Sequence, residues 1–102
     1  MINRDTLAQM KKGAYFVNTA RGPLVNYDDL YGALVSGHLR GAMLETFDVE
    51  PVPADNRFLK LPNVTLTPHI AGASVKTVSH AAGLAAEEVR RYLAGEPPLN
   101  RC

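Results

Sequence analysis

The sequence predicts an α/β fold, an open parallel sheet with crossover helices and a long C-terminal helix, within 102 residues. Three observations predict it. Short apolar runs alternate along the chain with segments of helical periodicity. The runs are nearly continuous and do not alternate cleanly with polar residues, the pattern of strands buried on both faces of a parallel sheet. Glycine and proline punctuate the boundaries between the two kinds of segment.

The first strand is expected at residues 14–18, between Gly13 and Arg21-Gly22-Pro23. The second is expected at 41–44, and the third at 64–67 between Pro62-Asn63 and Pro68. Asn3 is a candidate N-cap for a helix that sets Leu7 and Met10 on one face and ends at Gly13. Asn26 caps a second helix, with Asp29 three residues on and acidic charge in the first turn. Leu30, Ala33 and Leu34 repeat at helical spacing there, and Gly37 stops it. Ser74 opens the longest helix, in which Val75, Val78, Ala82, Ala85, Val89 and Leu93 recur at spacings of three and four. Gly95 ends it, and Pro97-Pro98 prevents continuation. Residues 45–63 are acidic, proline-rich and aperiodic, a long connection of the kind that is functional or flexible.

Composition narrows the function classes. With 46% apolar residues and a net charge of +1, the chain is too apolar and too neutral for a disordered segment. Eleven basic against ten acidic residues leave no excess to drive nucleic-acid binding. No apolar run approaches the roughly 18 residues of a membrane helix, so neither nucleic acid nor membrane is expected as a partner. Met1-Ile2-Asn3-Arg4-Asp5 turns polar at once, unlike a signal peptide. The single cysteine, Cys102, cannot form an internal disulfide, which suggests a reducing compartment, the cytoplasm.

Ligands of open α/β sheets bind beyond the carboxyl ends of the strands. Thr19-Ala20-Arg21-Gly22 follows the first expected strand. Glu45, with Glu50 five residues on, follows the second, and Pro68-His69-Ile70-Ala71-Gly72 follows the third. An arginine, a carboxylate and a histidine are thereby brought to one edge. Singly, Arg21 reads as a solvated loop residue, Glu50 as part of an acidic stretch, and His69 as a structural hydrogen bonder. Their joint placement favours a site. His38 and His80 have no paired ligand spacing with His69, so no metal is expected. Cys102 has no evident basic partner to make it a nucleophile. Ser74 reads as a cap and Ser79 as a helix-surface hydroxyl. Neither G-x-G-x-x-G nor G-x-x-x-x-G-K-[ST] occurs.

Three segments carry a family resemblance. Val17-Asn18-Thr19-Ala20-Arg21-Gly22-Pro23-Leu24-Val25 resembles the arginine signature of the D-isomer-specific 2-hydroxyacid dehydrogenases, a phosphoglycerate dehydrogenase-like family. Gly37-His38-Leu39-Arg40-Gly41-Ala42 with Phe47-Asp48-Val49-Glu50-Pro51 resembles their glutamate segment. Leu61 to Gly72, with Thr67-Pro68-His69-Ile70 at its centre, resembles their histidine segment. The likeness runs in order from about residue 1 to the Gly95-Glu96-Pro97-Pro98-Leu99-Asn100 tail.

The resemblance implies a partial Rossmann-type sheet. Residues 1–73 would form the C-terminal part of an NAD(P)-binding domain, and residues 74–102 a helix and tail returning towards a substrate domain. It implies hydride transfer between NAD(P)H and a D-2-hydroxy acid/2-oxo acid pair. Arg21 would clamp the substrate carboxylate and carbonyl with its paired donors. His69 would be the general acid and base, and Glu50 would pair with it and favour imidazolium. Thr19, Ala20, Arg21, Glu45, His69, Ile70, Ala71 and Gly72 would lie along the nicotinamide end of NAD or NADP. Glu45 departs from the family pattern, which has aspartate there, so its carboxylate must be accommodated differently.

Family members are several-fold longer, with the pyrophosphate-binding turn ahead of this segment. The chain is therefore expected to be a C-terminal fragment, inactive alone, with an apolar helix stripe suited to a homodimer. The resemblance leaves a second function open: a non-catalytic, cofactor-sensitive protein-association module of the same fold, as in the C-terminal binding protein corepressors. A decayed gene fragment is a third. The choice of 2-hydroxy acid, and of NAD over NADP, would rest on residues outside this sequence.

Overall fold

A computed structural model describes residues 1–100. Two compact units divide it, Met1–His69 and the residues from Ile70 onward.

The first unit is a three-stranded parallel sheet in the order β1-β2-β3, formed by Ala14–Asn18, Leu39–Leu44 and Val64–Leu66. Helix α1, Arg4–Ala8, precedes β1, and α2, Tyr27–Val35, makes the crossover from β1 to β2. Asn3 accepts from the Thr6 amide, and the Thr6 hydroxyl receives the Asn3 amide at 2.8 Å, a reciprocal capping box. The helix it starts is shorter than expected. It ends at Ala8, and the chain turns so that the Gly13 amide reaches the His38 carbonyl at 2.7 Å. Docking the turn against the start of β2 takes precedence over prolonging a helix whose apolar face is narrow.

Asn26 caps α2 by accepting from the Asp28 and Asp29 amides. Asp29 does not complete a capping box. Its carboxylate accepts the Arg4 amide at 2.9 Å, satisfying an orphan donor at the start of α1. Gly37, at φ 73°, then turns the chain into β2 in the left-handed region that favours glycine.

Two further expectations need correction. The second strand starts at Leu39, two residues before the glycine that resembled a boundary. Gly41 lies inside it because a Cβ there would come within 2.7 Å of the Asn63 carbonyl. The strands are also not all buried on both faces. In β1, Tyr15 is 64% and Val17 59% exposed, whereas Phe16 packs against the core, since β1 is an edge strand and one of its faces is open within this unit. The connection from β2 to β3 is the long aperiodic one expected at 45–63. It is a loop carrying a short 3₁₀ turn, Arg57–Lys60, which Asn56 caps by accepting from the Phe58 amide.

The core lies between β2, α1 and α2, with Leu7, Leu30, Leu34, Leu39 and Leu44 nearly inaccessible. Tyr27, Tyr31, Phe47 and Phe58 extend it beneath the 45–60 connection. Tyr27 stacks on Phe47 at 6.2 Å and meets Phe58 edge-on at 5.7 Å. Thr46 is fully buried in this region, and among the described residues its Oγ1 has no hydrogen-bond partner. Thr46→Val is therefore expected to leave stability unchanged or raise it by up to about 1 kcal/mol, because no bond is lost with the hydroxyl. Urea unfolding checks this, and a loss of more than about 1 kcal/mol would show that the hydroxyl is bonded.

The second unit is built on α3, Val75–Leu93, capped by Ser74 accepting from the Thr77 amide. It stops at Ala94 and Gly95, the latter at φ 69°. Glu88 receives the Leu99 and Asn100 amides and so ties the tail to the helix, while Arg90 lies between Glu87 and Glu96. Val75, Val78, Val89 and Leu93 are all more than half exposed. His80 is exposed on this helix, and Ser79 donates to the Lys76 carbonyl. Among the described residues no helix is long and apolar enough to cross a membrane. Cys102 lies outside the described residues.

Candidate active site

The site grows from the carboxyl ends of the three parallel strands, where loop backbone is free to carry side chains. Asn18 closes β1. It is buried, its Oδ1 accepts the Ala20 amide at 3.0 Å, and its Nδ2 donates to the Arg21 carbonyl at 3.3 Å. This Asx-type turn leaves Thr19, Ala20 and Arg21 exposed beyond the strand end. The Arg21 guanidinium folds back to donate from Nη1 to the Ala20 carbonyl at 2.7 Å.

Glu45 closes β2, its amide donating to the Asn18 carbonyl at 3.0 Å. It is a buried residue, 4% exposed, and lines a cavity of about 420 Å³ with Phe47, Val52, Leu66 and the Glu50–His69 pair. Glu50 lies further along the same connection. Its Oε1 accepts the Phe47 amide at 2.8 Å, and its Oε2 lies 3.0 Å from His69 Nδ1. His69 follows Pro68 just past β3.

The carboxylate and imidazole, 19 positions apart in sequence, are thus in direct contact. An ionised carboxylate can only accept, so Nδ1 carries the hydrogen in this contact and Nε2 is the atom left to exchange a proton. The Phe47 amide holds the Glu50 carboxyl below the usual carboxylate range, with further contributions from His69 and from the positive field of Arg21. Of the three residues expected at one sheet edge, the structure brings Glu50 and His69 into contact, while Arg21 stands in the turn beyond the neighbouring strand β1 and its charge adds to the lowering of the Glu50 carboxyl.

A consequence for pH follows. A depressed carboxyl pKa contributes stability that is present above the ordinary glutamate value and is lost as pH falls through the depressed one. The Glu50–His69 contact is expected to persist at mildly acidic pH, below the ordinary glutamate midpoint, and to break only under stronger acid. Carboxyl ¹³C chemical shifts of Glu50 followed through an acid titration check this. A midpoint at or above the ordinary glutamate value would contradict it.

Other expected positions lie elsewhere. Ile70, Ala71 and Gly72 are exposed and begin the second unit, where the Ala73 amide closes a turn on the Ile70 carbonyl at 2.9 Å. His38 is not at the site; its Nε2 contacts the Leu7 carbonyl at 3.0 Å. Sequence reasoning missed the residues that support the site. These are Asn18, which shapes the arginine turn, and the Phe47 amide, which orients Glu50. Gly22 and Tyr27 also lie between the two loops. Only Asn18 and Gly22 left a signal, as an Asn two residues before an exposed turn residue and a glycine directly after the arginine.

Comparison with known proteins gives one answer. The family described as D-isomer specific 2-hydroxyacid dehydrogenase, NAD binding domain, matches residues 1–71. A glyoxylate reductase of Thermofilum pendens is 44% identical over 96% of this chain and 29% of its own length. A D-3-phosphoglycerate dehydrogenase of Methanocaldococcus jannaschii is 46% identical over 94% of this chain and 18% of its own. The crystal structure of a D-isomer specific 2-hydroxyacid dehydrogenase from Xanthobacter autotrophicus, in complex with NADPH and MES, superposes with a TM-score of 0.79. It is 42% identical, over 99% of this chain and 41% of that one. The chain thus spans less than a third of the length of these two curated relatives.

Proposed function

This chain belongs to the D-isomer specific 2-hydroxyacid dehydrogenase family, and from that membership we propose that it forms the C-terminal part of the cofactor domain of an NAD(P)-dependent reductase of small 2-oxo acids. The observation that carries the reading is the Glu50–His69 contact at 3.0 Å under the positive field of Arg21.

The residues present suit the nicotinamide end of a dinucleotide. Thr19 and Ala20 are exposed in the turn beyond β1, and Glu45 places a carboxylate at the end of β2 beside the cavity. A bound reduced nicotinamide supplies the hydride to the substrate carbonyl. Arg21 binds the substrate carboxylate and, through its second donor, the carbonyl oxygen on which negative charge develops. His69 gives the proton on Nε2 to that oxygen, and takes it back in the direction of alcohol oxidation. Glu50 keeps Nδ1 protonated and the ring fixed, so that Nε2 is the exchanging atom. Ile70, Ala71 and Gly72, which begin the second unit, are proposed as cofactor contacts from the family resemblance alone. Residues 1–73 serve as cofactor-domain segment, and the helix and tail of 74–102 lead towards a substrate domain.

The proposal includes a cytoplasmic protein that self-associates. The lone cysteine supports the first part, and the exposed stripe of Val75, Val78, Val89 and Leu93 supports the second. The test is oxidation of NADH or NADPH by the full-length enzyme with glyoxylate or hydroxypyruvate. Turnover is expected from that protein and not from these 102 residues alone. No turnover with any small 2-oxo acid, together with oligomerisation that responds to the dinucleotide, would instead favour a protein-association module.

A further inference from the structure

Arg21 and Glu50 reach the site from different strand ends, and their relative placement must be fixed by something between the two loops. One buried side chain lies there. Tyr27, the first residue of α2, is 8% exposed, and its hydroxyl donates to the Thr46 carbonyl at 2.6 Å. Along the chain Tyr27 lies six residues past Arg21, directly after the 3₁₀ turn Gly22–Leu24 and the Asn26 cap. Asn18 folds the arginine turn itself, through the Ala20 amide and the Arg21 carbonyl. Thr46 directly precedes Phe47, whose amide holds Glu50 at 2.8 Å. Tyr27 is thus joined along the chain to the arginine turn and bonded through its phenol to the backbone that orients the other loop.

From this arrangement we infer that Tyr27 is a positioning residue for the proposed reduction: its hydroxyl ties the helix start that follows the Arg21 turn to the Glu50 loop and so sets the Glu50–His69 pair relative to that turn. The inference rests on the reductase reading for its function, but the link itself can be measured without turnover. Burial pushes the phenol pKa above its ordinary value, so the hydroxyl keeps its proton and remains a donor throughout the neutral range. The Tyr27 ring has a separate role, stacking on Phe47 and meeting Phe58 edge-on. Packing and positioning can therefore be separated, because Tyr27→Phe keeps the ring and removes only the link.

The experiment compares Tyr27→Phe with Leu34→Val in the full chain, the latter trimming a buried α2 side chain that has no part in either loop. The Glu50 carboxyl titration is followed by ¹³C NMR, and the reductase assay is run in parallel. In Tyr27→Phe the Glu50 midpoint is expected to rise towards the ordinary glutamate value as the Phe47 amide loses its fixed position. The rate kcat is expected to fall about tenfold or more, since small misplacements of reacting groups are costly. Leu34→Val is expected to leave both unchanged. An unmoved Glu50 midpoint in Tyr27→Phe, or an equal shift in Leu34→Val, overturns the link whatever the assay gives. A shifted midpoint in Tyr27→Phe alone, with no turnover by the wild-type enzyme, supports the link and removes the reductase reading. A second readout needs no substitution. In the wild-type chain the Tyr27 hydroxyl proton is expected to exchange slowly with water, and fast exchange there overturns the inference.

Discussion

His69→Ala in the full-length enzyme is expected to lower kcat for 2-oxo acid reduction by about 10²- to 10⁴-fold, the range for losing a positioned general acid. Binding of NAD(P)H, measured by fluorescence titration, is expected to change by no more than a few-fold. The separation follows from the geometry. His69 is a partly exposed group whose Nδ1 is engaged by Glu50 at 3.0 Å. Its removal takes away the proton donor and leaves the hydrogen bonds of the Asn18-shaped turn in place. Glu50→Gln tests the same pair from the other side. The amide is nearly isosteric but can present its NH₂ group to Nδ1, so the ring is no longer held with Nδ1 as the donor. A His69→Ala enzyme that kept more than a tenth of wild-type turnover would remove His69 from the chemistry.

Gly22→Ala is the second large effect. A Cβ on Gly22 would lie 1.9 Å from the Phe47 carbonyl oxygen, 2.0 Å from its carbon and 2.5 Å from the Asp48 nitrogen. All three are backbone atoms, so no side-chain rotation can relieve the contact. Either the arginine turn or the 46–50 segment must move, and each carries part of the site. The expected cost is about 1–3 kcal/mol of stability from overpacking, with a fall of about 10²-fold in kcat/KM because Arg21 and the Glu50–His69 pair are no longer held in register. Gly32→Ala is the control. Nothing lies within 4 Å of a Cβ at that exposed position inside α2. Helix propensity then predicts a gain of about 0.5–1 kcal/mol without loss of activity. Urea unfolding and steady-state kinetics on the two variants check both statements. Equal behaviour of the two would show that the Gly22 contact is not restrictive.

These two effects also mark how far the sequence could be read. The strand positions and the Asn3, Asn26 and Ser74 caps were legible because each rests on local chemistry: apolar runs, a side-chain acceptor and the turn residues that end a segment. The approach of Glu50 to His69 was legible because parallel topology sends the ends of β2 and β3 to one edge. What escaped depended on contacts distant in sequence. The second strand was expected to begin at Gly41, yet the chain is already pairing with β1 at Leu39. The shortness of α1 depends on the Gly13–His38 bond, and the exposure of Tyr15 and Val17 on the edge position of β1. Tyr27 read simply as the start of an amphipathic helix. Its role between the loops depends on Thr46, 19 residues away. The cause is common to all of these: periodicity reports which face of an element is apolar, but not which backbone group will meet a particular hydroxyl or a missing Cβ.

In the proposed function one atom, His69 Nε2, carries the proton in both directions of the reaction. This is tested most directly by 2-oxo acid reduction and D-2-hydroxy acid oxidation by full-length His69→Ala, with and without added imidazole. Turnover is expected to be lost in both directions in that variant and to be partly restored by imidazole, which supplies the missing proton carrier. Turnover that survives intact in His69→Ala, or a loss that imidazole leaves unchanged, would contradict the assignment of His69 as the proton carrier.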